Sequence, residues 1–133
     1  MSINFDSALG IHADALRIRS QRAELLASNL VNADTPNYKA RDIDFQSAMK
    51  MAASGQSSAG MQSTHSNHIS TSGGQFNHPA VQFRTAMQDS IDGNTVDEQV
   101  EQAQFMQNSV QYQASLNFLG ARFQGLLSAI RGE

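Results

Sequence analysis

The chain has 133 residues, short enough for a single domain, and nine Lys and Arg against twelve Asp and Glu leave a net charge of −3. Nothing in that balance favours nucleic acid or an anionic membrane surface as a bulk partner. The absence of cysteine excludes a disulfide scaffold and a Cys-based zinc site. Hydrophobic residues make up 40%, a low share for a compact core, and no apolar run approaches the ~20 residues needed to cross a bilayer. The opening Met-Ser-Ile-Asn-Phe-Asp has no basic stretch leading into an apolar core, so a cleaved secretory signal is not expected. The expectation is a cytoplasmic protein, or one exported by a route that does not use such a signal.

From about residue 6 to residue 33 the apolar positions follow a helical rhythm. Leu9, Leu16, Ala23 and Leu30 recur every seven residues, with Phe5, Leu26 and Ala33 on the companion line. That is a narrow seam of the coiled-coil kind rather than the broad face of a globular helix. At ~1.5 Å per residue such a helix is roughly 40 Å long. Arg17, Arg19 and Arg22 read as a solvated or ion-paired face, with Asp14 and Glu24 nearby in sequence.

Asn32-Ala33-Asp34-Thr35-Pro36-Asn37-Tyr38 stops this helix. Pro36 has no amide hydrogen and disfavours helical geometry at Thr35. Thr-Pro-Asn-Tyr is turn chemistry, with Pro second and an Asn tolerant of left-handed backbone third. Residues 39–45 then read as extended, and Phe45 and Met49 stand one turn apart in a short helix. Asp42 and Asp44 invite an acid–base reading, but with Lys39 and Arg41 adjacent, ordinary surface ion pairing is expected. Residues 51–80 contain no Asp, Glu, Lys or Arg, a composition that does not repay its own ordering entropy and suggests ordering against a neighbour. Its His65, His68 and His78 have no nearby carboxylate or thiolate, so no metal and no cofactor are expected. Val81-Gln82-Phe83-Arg84 alternates like a short strand, and Asp92-Gly93 is a turn signal.

A second long helix is expected from Thr95-Val96-Asp97-Glu98, read as a capping box with Thr95 and Glu98 reciprocally bonded. Phe105, Tyr112, Leu119 and Leu126 recur every seven residues, with Leu116, Phe123 and Ile130 on the adjacent line. A weaker stripe of Val96, Val100, Val110 and several Ala lies on another side. The remaining surface is rich in Gln and Asn rather than Lys and Glu, which suits a face covered by other protein, because an amide is far cheaper to bury than a charge. Gly120 and Gly125 either allow close approach of another helix or are simply tolerated. No nucleophile elbow, phosphate loop or dinucleotide fingerprint occurs, and an enzyme is not expected.

The fold class expected is mainly α: two long terminal helices pairing as an antiparallel coiled coil, with a flexible or short-β middle segment. The divisions are 1–35 for the N-terminal coiled-coil helix, 36–94 for the turn, extended and Ser/Gly/Gln-rich middle, and 95–133 for the C-terminal coiled-coil helix. Such a pair hides one stripe and leaves others for neighbours, so self-assembly through a contact that does not close is the economical solution. The seam expected to carry it comprises Leu9, Leu16, Leu26, Leu30, Phe105, Tyr112, Leu116, Leu119, Phe123 and Leu126. A soluble coiled-coil adaptor or export chaperone is the competing class; it calls for a charged rather than amide-rich outer face.

The run Ala15 to Leu30, followed by Asn32-Ala33-Asp34-Thr35-Pro36-Asn37-Tyr38-Lys39, closely resembles the N-terminal motif of bacterial flagellar rod and hook proteins, with Asn37 where those have Gly. Lys39-Ala40-Arg41-Asp42-Ile43-Asp44-Phe45, Asp92-Gly93-Asn94-Thr95-Val96-Asp97 and Tyr112-Gln113-Ala114-Ser115-Leu116 resemble the proximal rod members in particular. The resemblance implies a structural subunit of the flagellar basal-body rod, which spans the periplasm, with the terminal helices lining the tube. Another short rod protein is the alternative within that class. The partners implied are the chain itself, other rod proteins, the adaptor joining the MS ring to the rod, and the flagellar type III export apparatus, with no nucleic acid and no membrane insertion. Phe45 and Met49 match the Phe-x-x-x-apolar element associated with early export substrates.

Overall fold

The computed structural model describes residues 9, 11–54, 65, 80–86 and 90–132. In chain order these form helix α1 (Ile11–Val31), strand β1 (Arg41–Ile43), helix α2 (Phe45–Ala53), strand β2 (Val81–Phe83) and helix α3 (Glu98–Arg131). The two long helices run antiparallel: His12 lies beside Phe118, Arg19 bonds Gln111 and Ser115, and Asn29 bonds Glu101. The mainly helical fold with a short β element in the middle is as the sequence predicts.

Local chemistry fixes each boundary. Tyr38 N donates to Thr35 O (3.3 Å), closing a turn with Pro36 second and Asn37 third at φ 61°, the positive φ of a type II turn. The turn that follows α1 leaves carbonyls to be met from elsewhere in the chain, and Asn94 meets them. Its buried Nδ2 donates to Asn32 O (3.1 Å), Ala33 O (2.6 Å) and Thr35 O (3.0 Å). Gly93, at φ 72°, sits so close to the turn that a Cβ would lie 2.7 Å from Asn37 Oδ1. Asp44 caps α2, accepting from Gln46 N (3.0 Å) and Ser47 N (3.3 Å).

The cap of α3 differs from the expected capping box. Asp97 is the capping residue, accepting from Gln99 N (3.1 Å) and Val100 N (3.2 Å). Thr95 Oγ1 instead accepts from Ala40 N (2.8 Å), and Glu98 Oε1 accepts from Gln102 Nε2 (2.9 Å). Both Thr and Asp are good caps; the tie to the segment leading into β1 takes Thr95 out of the competition.

β1 and β2 pair antiparallel with Arg41 opposite Phe83, Asp42 opposite Gln82 and Ile43 opposite Val81. The ladder is extended at both ends by Arg84 N to Ala40 O (2.9 Å) and Asp44 N to Ala80 O (3.1 Å). A two-stranded ribbon is marginal alone, and this one lies against α1. The buried core consists of Ile18, Leu25, Ile43, Ala48 and Ala80, with Phe45, Met49, Ala52 and Val81 packed on it. The apolar core therefore lies between α1 and the middle segment, not between the two long helices. Of the uncharged stretch 51–80, only Met51, Ala52, Ala53, Ser54, His65 and Ala80 are described; its expected ordering against a neighbour falls mostly outside the described residues, as do His68 and His78.

This placement has a direct test. Leu25→Ala empties a fully buried site and is expected to cost about 2–4 kcal/mol, whereas Leu116→Ala, on the outer side of α3, should cost less than about 1 kcal/mol. Denaturant unfolding followed by circular dichroism measures both, and equal losses would place the core elsewhere.

Candidate assembly interface

The line of α3 that meets α1 is polar. Glu101, Asn108 and Ser115 recur every seven residues and are all buried, Glu101 and Asn108 to 1% exposure. The sequence offers Phe105, Tyr112 and Leu119 at the same spacing, of which Leu119 is half-buried, yet Arg19, Arg22 and Asn29 on the facing side of α1 require polar partners. Arg22 donates to Gln104 Oε1 (3.0 Å), and Asn108 Nδ2 donates to the backbone oxygen of Arg19 (2.9 Å). The Arg19 guanidinium reaches Ser115 Oγ (3.2 Å) and Gln111 Oε1 (2.5 Å) and lies 4.2 Å above the Phe45 ring. Burial, and then the charge of Arg22, hold its pKa below the ordinary arginine value.

A network joins this line to the middle segment. Glu101 accepts from Arg84 Nη1 (2.6 Å) and from Asn29 Nδ2 (3.1 Å). Arg84 Nη2 continues to Asp42 Oδ2 (2.7 Å), and Arg22 grips the same carboxylate through Nε (2.8 Å) and Nη2 (2.9 Å). Asn29 also pairs with the backbone of β1, donating to Arg41 O (2.8 Å) and accepting from Arg41 N (3.1 Å). Tyr38 OH donates to Asn29 Oδ1 (3.3 Å).

Two expectations are corrected by this geometry. Asp42 is not a surface ion-pair partner of Lys39 and Arg41: it is largely buried between Arg22 and Arg84, while Lys39 Nζ donates to Gly93 O (2.5 Å) and Asp44 caps α2. Of the three arginines read as one face, only Arg17 pairs with Asp14 (3.4 Å); Arg19 and Arg22 turn inward. Of the two readings of Gly120 and Gly125, the described subunit shows no close approach: a Cβ at either meets nothing within 4 Å.

Of the residues expected to form the assembly seam, Leu26 is fully buried, and Leu9, Leu16, Leu30, Leu119 and Leu126 are half-buried. Phe105, Tyr112, Leu116 and Phe123 flank the polar line and remain exposed, at 36–41%. Met106 and Val110 are exposed on another side of the helix. In the turn motif, Asn32 and Thr35 accept from Asn94, Pro36 and Asn37 make the turn, and Tyr38 joins the network. Phe45 and Met49, the candidate export element, are half-buried against the core. The sequence reading overlooked Asn29, Arg84, Asn94, Glu101 and Asn108 as structural residues. The one signal present was the seven-residue recurrence of polar side chains at 101, 108 and 115.

Burial raises the Asp42 pKa, but the hydrogen bonds from Arg22 and Arg84 outweigh it and hold the group below 3.8. A carboxylate with a depressed folded pKa contributes stability above the unfolded value and loses it as pH falls through the folded one. Wild-type stability is therefore expected to fall below about pH 3.8 partly through Asp42. Asp42→Asn should cost about 2 kcal/mol at neutral pH and flatten that acid limb in a thermal-unfolding series; an unchanged limb would remove Asp42 from this role.

No profile of a known protein family matches the chain. Full-length relatives do. It is 47% identical over 135 residues to the flagellar basal body rod protein FlgB of Aeromonas hydrophila, covering 100% of this chain and 99% of that one. Identity is 42% to FlgB of Salmonella typhimurium, covering 96% and 95% of the two chains. With FlgB of Escherichia coli it is 40%, covering 95% and 94%. At these identities over nearly the whole of both chains, the protein belongs to the FlgB family of flagellar basal body rod proteins.

Proposed function

We propose that the chain is a self-assembling structural subunit of the proximal, periplasm-spanning rod. It reaches its site through the flagellar type III export apparatus and there meets further copies, other rod proteins and the adaptor joining the MS ring to the rod. The observation that carries this reading is the outward placement of apolar side chains on α3. A helix that turns Glu101, Asn108 and Ser115 toward its partner and leaves Phe105, Tyr112, Leu116 and Phe123 at its flank is stable against water only in part. Neighbouring helices would cover that flank, and the Gln and Asn between the apolar residues tolerate burial where Lys and Glu would not. A free-standing adaptor has no use for such a face.

The export reading rests on Phe45 and Met49. Both pack on the core of the folded subunit, so recognition of this pair would require the chain to be unfolded at that point, as an export channel requires. Among the described residues no helix is long and apolar enough to cross a membrane.

Two outcomes test the proposal. Leu116→Asp and Phe123→Asp, both at half-exposed sites, are expected to leave export and helix content intact while abolishing assembly and motility; motile cells carrying either variant would exclude this flank as the seam. Pro36→Ala, which removes the block to helix read-through, should reduce motility more than the amount of protein exported. Equal loss of both would assign Pro36 to export or folding instead.

A further inference from the structure

Arg19 is a cation turned inward without a carboxylate to meet it. Arg22 and Arg84 pair with Asp42 and Glu101, whereas among the described residues Arg19 has no such partner. Three neutral groups hold it instead. Two belong to α3, Gln111 Oε1 (2.5 Å) and Ser115 Oγ (3.2 Å); the third is the face of the Phe45 ring, 4.2 Å from the guanidinium carbon. Arg19 thus stands between α3 and the first residue of α2, and Phe45 otherwise packs on the buried core. A ring face alone is a weak hold on a guanidinium that water would solvate, so the stack on Phe45 depends on the two acceptors that α3 supplies. Those acceptors lie where α3 is least secured: Ser115 is the last buried residue of the helix among those described, and the residues beyond it are exposed or half-exposed.

We propose that α3 acts as a cover on Phe45: seated on α1 it clamps Arg19 over the ring, and its opening is the step that first bares Phe45 to the export apparatus. This rests on the reading of Phe45 and Met49 as an export element and names what regulates that element. The ring is displayed while α3 is off α1 and withdrawn once α3 has seated, so a subunit that has taken its place no longer presents it. A polar attachment suits a removable cover. Two hydrogen bonds to a cation without a carboxylate partner release more readily than an ion pair would, and the core under Phe45 stays intact when they do, as in a local opening rather than a global one.

The chain has no tryptophan, so Phe45→Trp places a single indole under Arg19, and acrylamide quenching of its fluorescence in dilute protein reads how well it is covered. Gln111→Glu gives the guanidinium a carboxylate in place of an amide and is expected to tighten the cover and lower the quenching constant. Gln111→Ala together with Ser115→Ala should raise that constant by roughly twofold, because an indole face then lies bare to water. Asn117→Ala, on the exposed side of the same helix, should leave it unchanged. Export by cells carrying these changes with Phe45 in place is expected to move the same way: slower with Gln111→Glu, and restored when Arg19→Ala is added. Quenching that ignores both Gln111 variants would overturn the cover. Quenching that follows them while export does not, with Phe45→Ala still reducing export, would overturn the cover's part in export and leave the export reading standing. Export unaffected by Phe45→Ala would overturn that reading and the regulation built on it.

Discussion

Glu101 is a carboxylate withdrawn almost wholly from water in the middle of a helix contact, and the fold is arranged so that it is not alone there. An ionised group in such a place costs several kcal/mol unless opposite charge and hydrogen bonds meet it. Arg84 and Asn29 meet it from two different elements. Arg84 follows β2 directly and is itself held by Asp42, next to which Arg22 of α1 is bound. Four segments far apart in sequence therefore satisfy one another through a single chain of charges. Seating α3 against α1 requires the β ribbon to be in place, which makes the middle segment part of the helix pair's stability rather than an appendage to it.

That arrangement divides the subunit energetically. Hydrophobic stabilisation is concentrated between α1, the ribbon and α2, where Ile18, Leu25, Ile43 and Ala48 are buried. The N-terminal half of the long C-terminal helix is attached mainly by hydrogen bonds and ion pairs, whose net contribution each is modest; Leu119 and Leu126 are half-buried, while Phe105, Tyr112, Leu116 and Phe123 flank the contact, 36–41% exposed. Toward its C-terminus, beyond Ser115, almost every described residue of α3 is exposed or half-exposed. A helix held in this way is expected to open locally before the core does, and covering its flank by neighbours would add the hydrophobic term that the isolated subunit lacks.

Much of the local structure was legible because its causes are local. Pro36 and Asn37 specify a turn by their own backbone preferences, Phe45 and Met49 fall one turn apart, and the alternation at 81–84 gives a strand. What was not legible depends on partners distant in the chain. Thr95 and Asp97 are both competent caps, and only the amide of Ala40 decides between them. Asp42 has Lys39 and Arg41 beside it in sequence, but the strand directs its carboxylate to Arg22 and Arg84. The heptad of Phe105, Tyr112 and Leu119 is real, yet hydrophobic spacing alone does not say which neighbour covers it. The answer within the subunit follows from Arg19, Arg22 and Asn29 on the opposing helix, whose polar groups need polar partners more than α3's aromatic residues need cover.

A polar contact line also specifies register in a way that an apolar one would not. Leucine against leucine is nearly indifferent to a one-heptad slip, and to whether the partner helix belongs to the same chain or to another. Glu101 has no such tolerance: sliding α3 along α1 would separate it from Asn29 and Arg84 together and leave a buried charge uncompensated, a loss of the size that breaks folds. Asn108 adds a second fixed point through the Arg19 carbonyl, in the manner of a buried amide that sets the alignment of a coiled coil. The polar line thus commits α3 to its own α1 in one alignment. The apolar flank, left out of that commitment, remains available for contacts between subunits, and the same helix serves folding with one side and assembly with another without the two competing for the same residues.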